Sequence, residues 1–286
     1  MIVIKNIGGI GNQMFIYALY LSFKHLGKKV KMDNTKYFIP YYSRSSIKDI
    51  FNLDYGIVPN NFYDKLQEPN KYKRFFTYKY YGVNNIVYES NIKDKNIFDY
   101  SNAYLIGYWQ SEKYFINDDV KKELRDTFKI PDNLITNDFN IMAGKIRNTN
   151  SVSIHFRRTD YIVPNNTIRY GNICTDKYYE NAIDYINDKV DNSTFYVFSD
   201  DKEYVKQLYG DKQNYVIVNE DNSLNDIQEL FLMSYCKHNI LANSSYSWWA
   251  AWLNENDDVI KIVPNKWDNI EDKEEIYTTD MIRLGG

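Results

Sequence analysis

Two cysteines, Cys174 and Cys236, are too few for a disulfide framework or a cysteine-built zinc site. The three histidines, at 25, 155 and 238, lack the spacing of a helical H-E-x-x-H zinc site. No Asp-x-Asp occurs, so the carboxylate pair that often holds a divalent ion against a diphosphate is missing. No run approaches the roughly 18 apolar residues of a membrane span. Met1-Ile-Val-Ile-Lys5 leads into a strand pattern and not a signal peptide. The expected setting is reducing and cytoplasmic, with peripheral contact at the inner face of the cell membrane as an addition. A net charge of −3 leaves no basic footprint for nucleic acid. No internal repeat or low-complexity segment is evident. What remains is a globular composition of 44% hydrophobic and 26% charged residues over 286 positions, enough for one large domain or two ordinary ones. The 28 tyrosines accompany abundant Asn, Lys and Ile, so they reflect coding bias before any sugar-handling surface.

The informative stretch is Ser151-Val-Ser-Ile-His-Phe-Arg-Arg-Thr-Asp-Tyr161. Val152, Ile154 and Phe156 alternate with Ser153, His155 and Arg157, the period of a strand. Arg157, Arg158 and Asp160 do not suit an apolar sheet, so they should project from its carboxyl end, where open α/β sheets bind ligands. A guanidinium offers a planar fork of donors suited to phosphate. The plainer reading is a basic strand end making surface ion pairs.

Residues 2–33 read as a strand, a Gly8-Gly-Ile-Gly11 turn, a helix from Met14 to Leu26 and a strand ending at Asp33. Free amides at such a helix start favour anions. Met14, however, stands where the dinucleotide fingerprint needs a third small residue. Residues 34–100 carry weaker signals. Ser45-Ser46 reads as the cap of a short helix, and the basic, aromatic 71–81 as a solvated hairpin or a contact with a membrane-linked substrate. Residues 103–109 read as a strand, 110–128 as one helix and 135–147 as another. From 151 onward strands and helices alternate: strands near 151–156, 194–198, 215–218, 239–242 and 259–263, helices at 176–190, 202–209, 224–236 and 248–253. This predicts a doubly wound parallel sheet. We expect two domains, 1–148 and 149–286, with the last residues able to pack back on the first.

Three polar clusters follow strands of the second half: 157–161, Ser199-Asp200-Asp201 and Asn243-Ser244-Ser245-Tyr246-Ser247. Arginines, carboxylates and a serine-rich helix start describe a nucleotide-diphosphate site. The arginines would neutralise phosphate, and the hydroxyls and amides at 243–247 would hold its oxygens. Asp200 or Asp201 would accept from ribose hydroxyls or a purine N–H edge. For both clusters the alternative is ordinary helix capping. Trp248, Trp249 and Trp252 read as packing residues.

Five blocks together resemble α-1,2-fucosyltransferases of glycosyltransferase family 11, in particular its short bacterial members. They are Gly8–Phe15, Gly107–Phe115, His155–Tyr161, Phe195–Asp201 and Asn243–Trp249, in family order. The resemblance implies a GT-B-like α/β fold, two Rossmann-like domains facing a central cleft, with 1–148 on the acceptor side and 149–286 holding the GDP-sugar. It implies transfer of L-fucose from GDP-β-L-fucose to the 2-OH of a galactoside in an oligosaccharide or lipid-linked surface glycan, with inversion, no metal and no cofactor. It also implies that His155 and Arg157 meet the donor, Arg157 at the β-phosphate, and that Asn12 faces the donor from the first domain. A colitose-like GDP-deoxyhexose is the nearest alternative; a NAD-dependent oxidoreductase and a non-catalytic glycan-binding module are further ones. For the base that takes the acceptor proton, Asp160 is one candidate, whose other role is to hold an arginine. Asp33, Glu112 and His155 stay open, as does proton transfer to a donor phosphate or water.

Overall fold

Each of two units, Met1–Lys129 and Ile130–Gly286, is built on its own parallel sheet. This computed structural model describes residues 1–34, 46–59, 61–92 and 96–286. Among them no helix is long and apolar enough to cross a membrane.

The first unit runs β1 (Ile2–Lys5), α1 (Ile10–His25), β2 (Val30–Asp33), α2 (Ile47–Ile50), α3 (Phe62–Leu66), α4 (Lys71–Tyr81), β3 (Asn85–Tyr88), β4 (Ala103–Ile106) and α5 (Asp118–Thr127). Its sheet order is β2-β1-β4-β3, every pairing parallel. Helix α1 is buried from Met14 to Phe23, so Met14 serves as core. Gly8 turns the chain at φ +85°, and an added Cβ would fall 2.5 Å from the Asn12 amide nitrogen; only glycine fits there.

Three local expectations need correction. Residues 71–81 form a helix and not a hairpin. The Asn70 side chain accepts from the Tyr72 and Lys73 amides, and Gly82 ends the helix in the left-handed region at φ 63°. The helix expected over 110–128 is cut in two. Ser111 caps a short 3₁₀ turn at Glu112–Tyr114, and Asn117 then caps α5. At the start of α2, Ser46 holds the cap position without a side-chain cap bond, and Ser45 lies outside the described residues.

The second unit runs α6 (Asn137–Arg147), β5 (Asn150–Phe156), α7 (Pro164–Tyr170), α8 (Asp176–Asn187), β6 (Ser193–Ser199), α9 (Lys202–Tyr209), β7 (Tyr215–Ile217), α10 (Asp226–Tyr235), β8 (His238–Ile240), α11 (Ser245–Leu253), β9 (Lys261–Pro264) and β10 (Met281–Leu284). The sheet order β10-β9-β8-β5-β6-β7 is parallel throughout. Both faces of β5 are buried, as parallel sheets require. Val152, Ile154 and Phe156 share a core with Tyr179, Ala182 and Ile186 of α8. On the other face Asn239 Nδ2 donates to Ser153 Oγ at 2.7 Å, so the polar half of the alternation is paired inside the protein.

Residues 130–148 belong with this second unit, whereas the expected boundary put them in the first. Gln228 of α10 donates to Leu134 O (2.8 Å) and Thr136 Oγ1 (3.1 Å), and the Phe139 ring meets Tyr235 edge-on. At the chain end β10 continues the second sheet in register with β9, Met281 opposite Lys261.

Candidate active site

Strands β8, β5 and β6 are adjacent and parallel, so residues following them gather at one sheet edge. There Arg157 Nε lies 2.7 Å from Asp160 Oδ1 and its Nη1 3.0 Å from Asp200 Oδ2. Asp200 also accepts from the Arg158 amide (2.8 Å) and from Thr159 Oγ1 (2.6 Å). Burial works against the charge of Arg157, but the Asp160 hydrogen bond and the fields of Asp200 and Asp160 outweigh it and raise its pKa further. The result is a permanent cation whose fork is aimed by two carboxylates.

Other expected site residues are occupied within the fold. Arg158 Nε lies 3.1 Å from Asp201, and its guanidinium sits 3.5 Å above the centre of the Tyr204 ring. Asp201 caps α9 by accepting from the Tyr204 amide, and Ser199 Oγ closes the turn against the Asp201 backbone. Asn243 donates to Tyr170 O and Trp267 O, both at 3.2 Å, while its own carbonyl accepts from Tyr161 OH. Ser247 Oγ donates to Ala242 O and Ser244 O. Helix α11 begins earlier than expected, with Ser244 as its cap and Ser245 as its first, half-buried residue. Helix α11 follows β8, which pairs with β5, and a helix start favours an anion. Trp248 and Trp249 are fully buried, and Trp248 Nε1 donates to Ile276 O at 2.7 Å.

His155 is buried with its ring 5.5 Å from that of Tyr246, and no hydrogen-bond partner of its Nδ1 is present among the described residues. Burial pushes its pKa down to about 4; Asp200 opposes this and Arg157 adds to it. His155 is thus neutral near pH 7 and supplies no charge to a phosphate. The sequence reading missed Glu229, in the first turns of α10. Burial pushes its carboxyl up to about 7, with the Asn219 hydrogen bond and Lys202 opposing and Asp226 and Asp200 adding. Its signal was an acid directly before the apolar run Leu230–Met233.

At the corresponding edge of the first unit amides and two carboxylates, Asp33 and Glu89, are placed, and no arginine follows β1 or β4. Asn12, after the glycine turn, accepts from Gln110 Nε2 at 2.7 Å. Glu89 Oε2 clamps the Tyr108 and Trp109 amides (2.8 and 3.1 Å), holding Trp109 at φ 55° with its ring fully buried. Such a backbone costs about 1–3 kcal/mol and persists where neighbours over-determine it. Asp33 is buried and accepts from Tyr104 OH at 2.5 Å, and Glu112 pairs with Lys121 at 3.1 Å. Each base candidate therefore has a distinct setting, and Asp160 alone among them shares a direct ion pair with Arg157.

The chain belongs to glycosyl transferase family 11, whose model matches residues 1–284. It is a glycosyltransferase. It is 30% identical to the O-antigen biosynthesis glycosyltransferase WbnK of Escherichia coli over 97% of this chain and 98% of that protein. It is 32% identical to an α-1,2-colitosyltransferase of the same organism over 93% of this chain and 92% of that one. Among solved structures, NodZ α-1,6-fucosyltransferase soaked with GDP-fucose aligns with a TM-score of 0.50 at 11% identity, over 88% of this chain and 92% of that one. That likeness is one of fold, of the GT-B type.

Proposed function

We propose that the chain transfers a 6-deoxyhexose from its GDP derivative to the 2-OH of a galactoside within a surface glycan, the sugar being L-fucose. The observation that carries this reading is Arg157 at the end of β5, aimed by Asp160 and Asp200 at the sheet edge where the neighbouring β8 leads into α11. A fixed guanidinium suits the charge that develops on a departing diphosphate, and it needs no reorganisation as the bond breaks. In an inverting displacement the acceptor oxygen bonds to the anomeric carbon while the bond from that carbon to the diphosphate oxygen breaks. GDP leaves with the electron pair, and the hydroxyl proton passes to a base. Asp160 holds Arg157 in this arrangement, so its first role is to position the guanidinium. His155 and Glu229 lie in the electrostatic surroundings of Asp200 and suit the nucleoside end of the donor, Glu229 as an acceptor for purine N–H groups.

A second reading keeps the chemistry and changes the sugar. The relative named as an α-1,2-colitosyltransferase supports a GDP-colitose donor, and the relative named for O-antigen biosynthesis supports a polysaccharide precursor as acceptor. The deciding experiment offers GDP-fucose and GDP-colitose against a panel of galactosides and determines the linkage of each product. Fucose joined to the 2-OH is the expected outcome. Exclusive use of colitose selects the second reading, and turnover of neither donor defeats both.

A further inference from the structure

Helix α4 presents two faces. Arg74, Thr77, Tyr78 and Tyr81 recur at i, i+3, i+4 and i+7 and face the unit. Tyr78 and Tyr81 pack against the cluster of Val3, Phe62 and Tyr104, and Tyr78 OH donates to Leu66 O at 3.3 Å. The opposite face carries Tyr72, Phe75, Phe76 and Tyr80, which are 79%, 61%, 65% and 82% exposed. Isolated apolar residues on a surface need no explanation, but four large rings on one eleven-residue helix form a patch. Phe75 and Phe76 meet edge-on at 6.0 Å.

Around the rings stand Lys71, Lys73 and Lys79, none in an ion pair among the described residues. Between residues 61 and 88 five bases outnumber two acids, Asp64 and Glu68, in a chain whose net charge is −3. The helix is also a fixed platform. Asn70 caps its start, and the Met1 amino group donates to Gly82 O at its end.

We propose that this face of α4 docks on an anionic lipid bilayer. Lysines reach lipid headgroups while Phe and Tyr rings settle at the boundary between headgroups and acyl chains, the arrangement of an interfacial helix. A negative leaflet complements the local excess of positive charge. The inference does not depend on which sugar is transferred.

Flotation of the purified full chain with phosphatidylcholine vesicles, with and without phosphatidylglycerol, tests it. Binding is expected only with phosphatidylglycerol, and it should fall when salt rises from about 0.1 to about 1 M and the screening length shrinks from about 10 to about 3 Å. The triple variant Lys71→Glu, Lys73→Glu, Lys79→Glu should partition about 100-fold less. The pair Phe75→Ser, Phe76→Ser should lose about tenfold or more, with the unchanged far-UV circular dichroism that such exposed positions predict. Tyr72→Ser with Tyr80→Ser is a second aromatic test, at the most exposed rings. Absence of flotation by the unaltered chain overturns the proposal, as does equal binding to both vesicle types. Concentration-dependent self-association that the aromatic variants abolish, without vesicle binding, would assign the face to a second copy of the chain instead.

Discussion

Two sheet edges in this chain use the same geometry for different chemistry. In the first unit the residues after β1 and β4 are amides: Asn12 bonded to Gln110, beside a glycine turn. In the second unit the residues after β5 and β6 are ions: Arg157 held by Asp160 and Asp200, and Arg158 held by Asp201. Amides donate and accept without bringing charge, which suits hydroxyl groups; a guanidinium fixed by carboxylates suits a phosphate leaving group. The difference teaches that the parallel sheet supplies only a place, and the residues at the strand ends set its chemical character.

The sharpest way to break that contrast is at Arg157. Arg157→Ala should cost about 10²–10³ in transfer rate, roughly 2.7–4 kcal/mol of barrier. Arg157→Lys should be nearly as slow, because a point charge does not replace the fork. Initial rates check this, and a lysine variant with near-normal turnover would remove the assigned role. Next comes Asp160→Asn. If Asp160 chiefly aims Arg157, GDP affinity measured by calorimetry should weaken along with the rate. The effect should be about tenfold, since both side chains are about a third exposed (29% and 33%) and partly screened. Unchanged GDP affinity with a loss of about 10²–10⁴ in rate would instead make it the general base.

The charged edge should also titrate from both sides. His155 has a folded pKa depressed to about 4, so its share of stability is full above its ordinary value and is lost as pH falls through 4. Glu229 has a folded pKa raised to about 7, so its share is full below the ordinary carboxyl range and is lost as pH rises through 7. Each contributes up to about 3 kcal/mol. Urea unfolding across pH should show an acid limb flattened by His155→Asn and a basic limb flattened by Glu229→Gln. Unaltered limbs in both variants would contradict the burial argument.

A smaller effect is expected at the amide pair of the first unit. Gln110→Ala removes one hydrogen bond and should lower stability by about 0.5–1.5 kcal/mol. Transfer should fall by much less than for Arg157→Ala, and an equal loss would erase the distinction between the edges. The smallest expected change is none: with the arginine neutralising phosphate, activity should persist in excess EDTA. Loss there, restored by Mn²⁺ or Mg²⁺, would refute this view of the phosphate site.

The parallel sheet of the second unit was legible because local pattern and final environment agree. The alternation of Val152, Ile154 and Phe156 is repaid by contact with α8, and the charged residues fall where the strand must end. Helix α4 was not legible, since its inward and outward stripes both carry aromatic rings and the helical period is blurred. The cut at 115–117 rests on two caps, Ser111 and Asn117, that compete with an otherwise continuous helical pattern. The unit to which α6 belongs is fixed by Gln228, more than ninety positions from its partner Leu134.

The sequence by itself determined the parallel α/β class, the order of strands and helices after residue 150 apart from α7 and β10, and the strand end at which charge collects. Those features are set by periodicity and by residues that cannot enter an apolar layer, both local properties. Tertiary structure alone decided which of the charged residues holds which. It turned Asp201 and Asn243 to capping and anchoring, left Arg157 aimed by two carboxylates, and brought His155 and Glu229 into the field of Asp200. Apart from Arg157 with Asp160, three residues apart, such pairings depend on distance and burial between segments far apart in the chain, which no spacing along the sequence encodes.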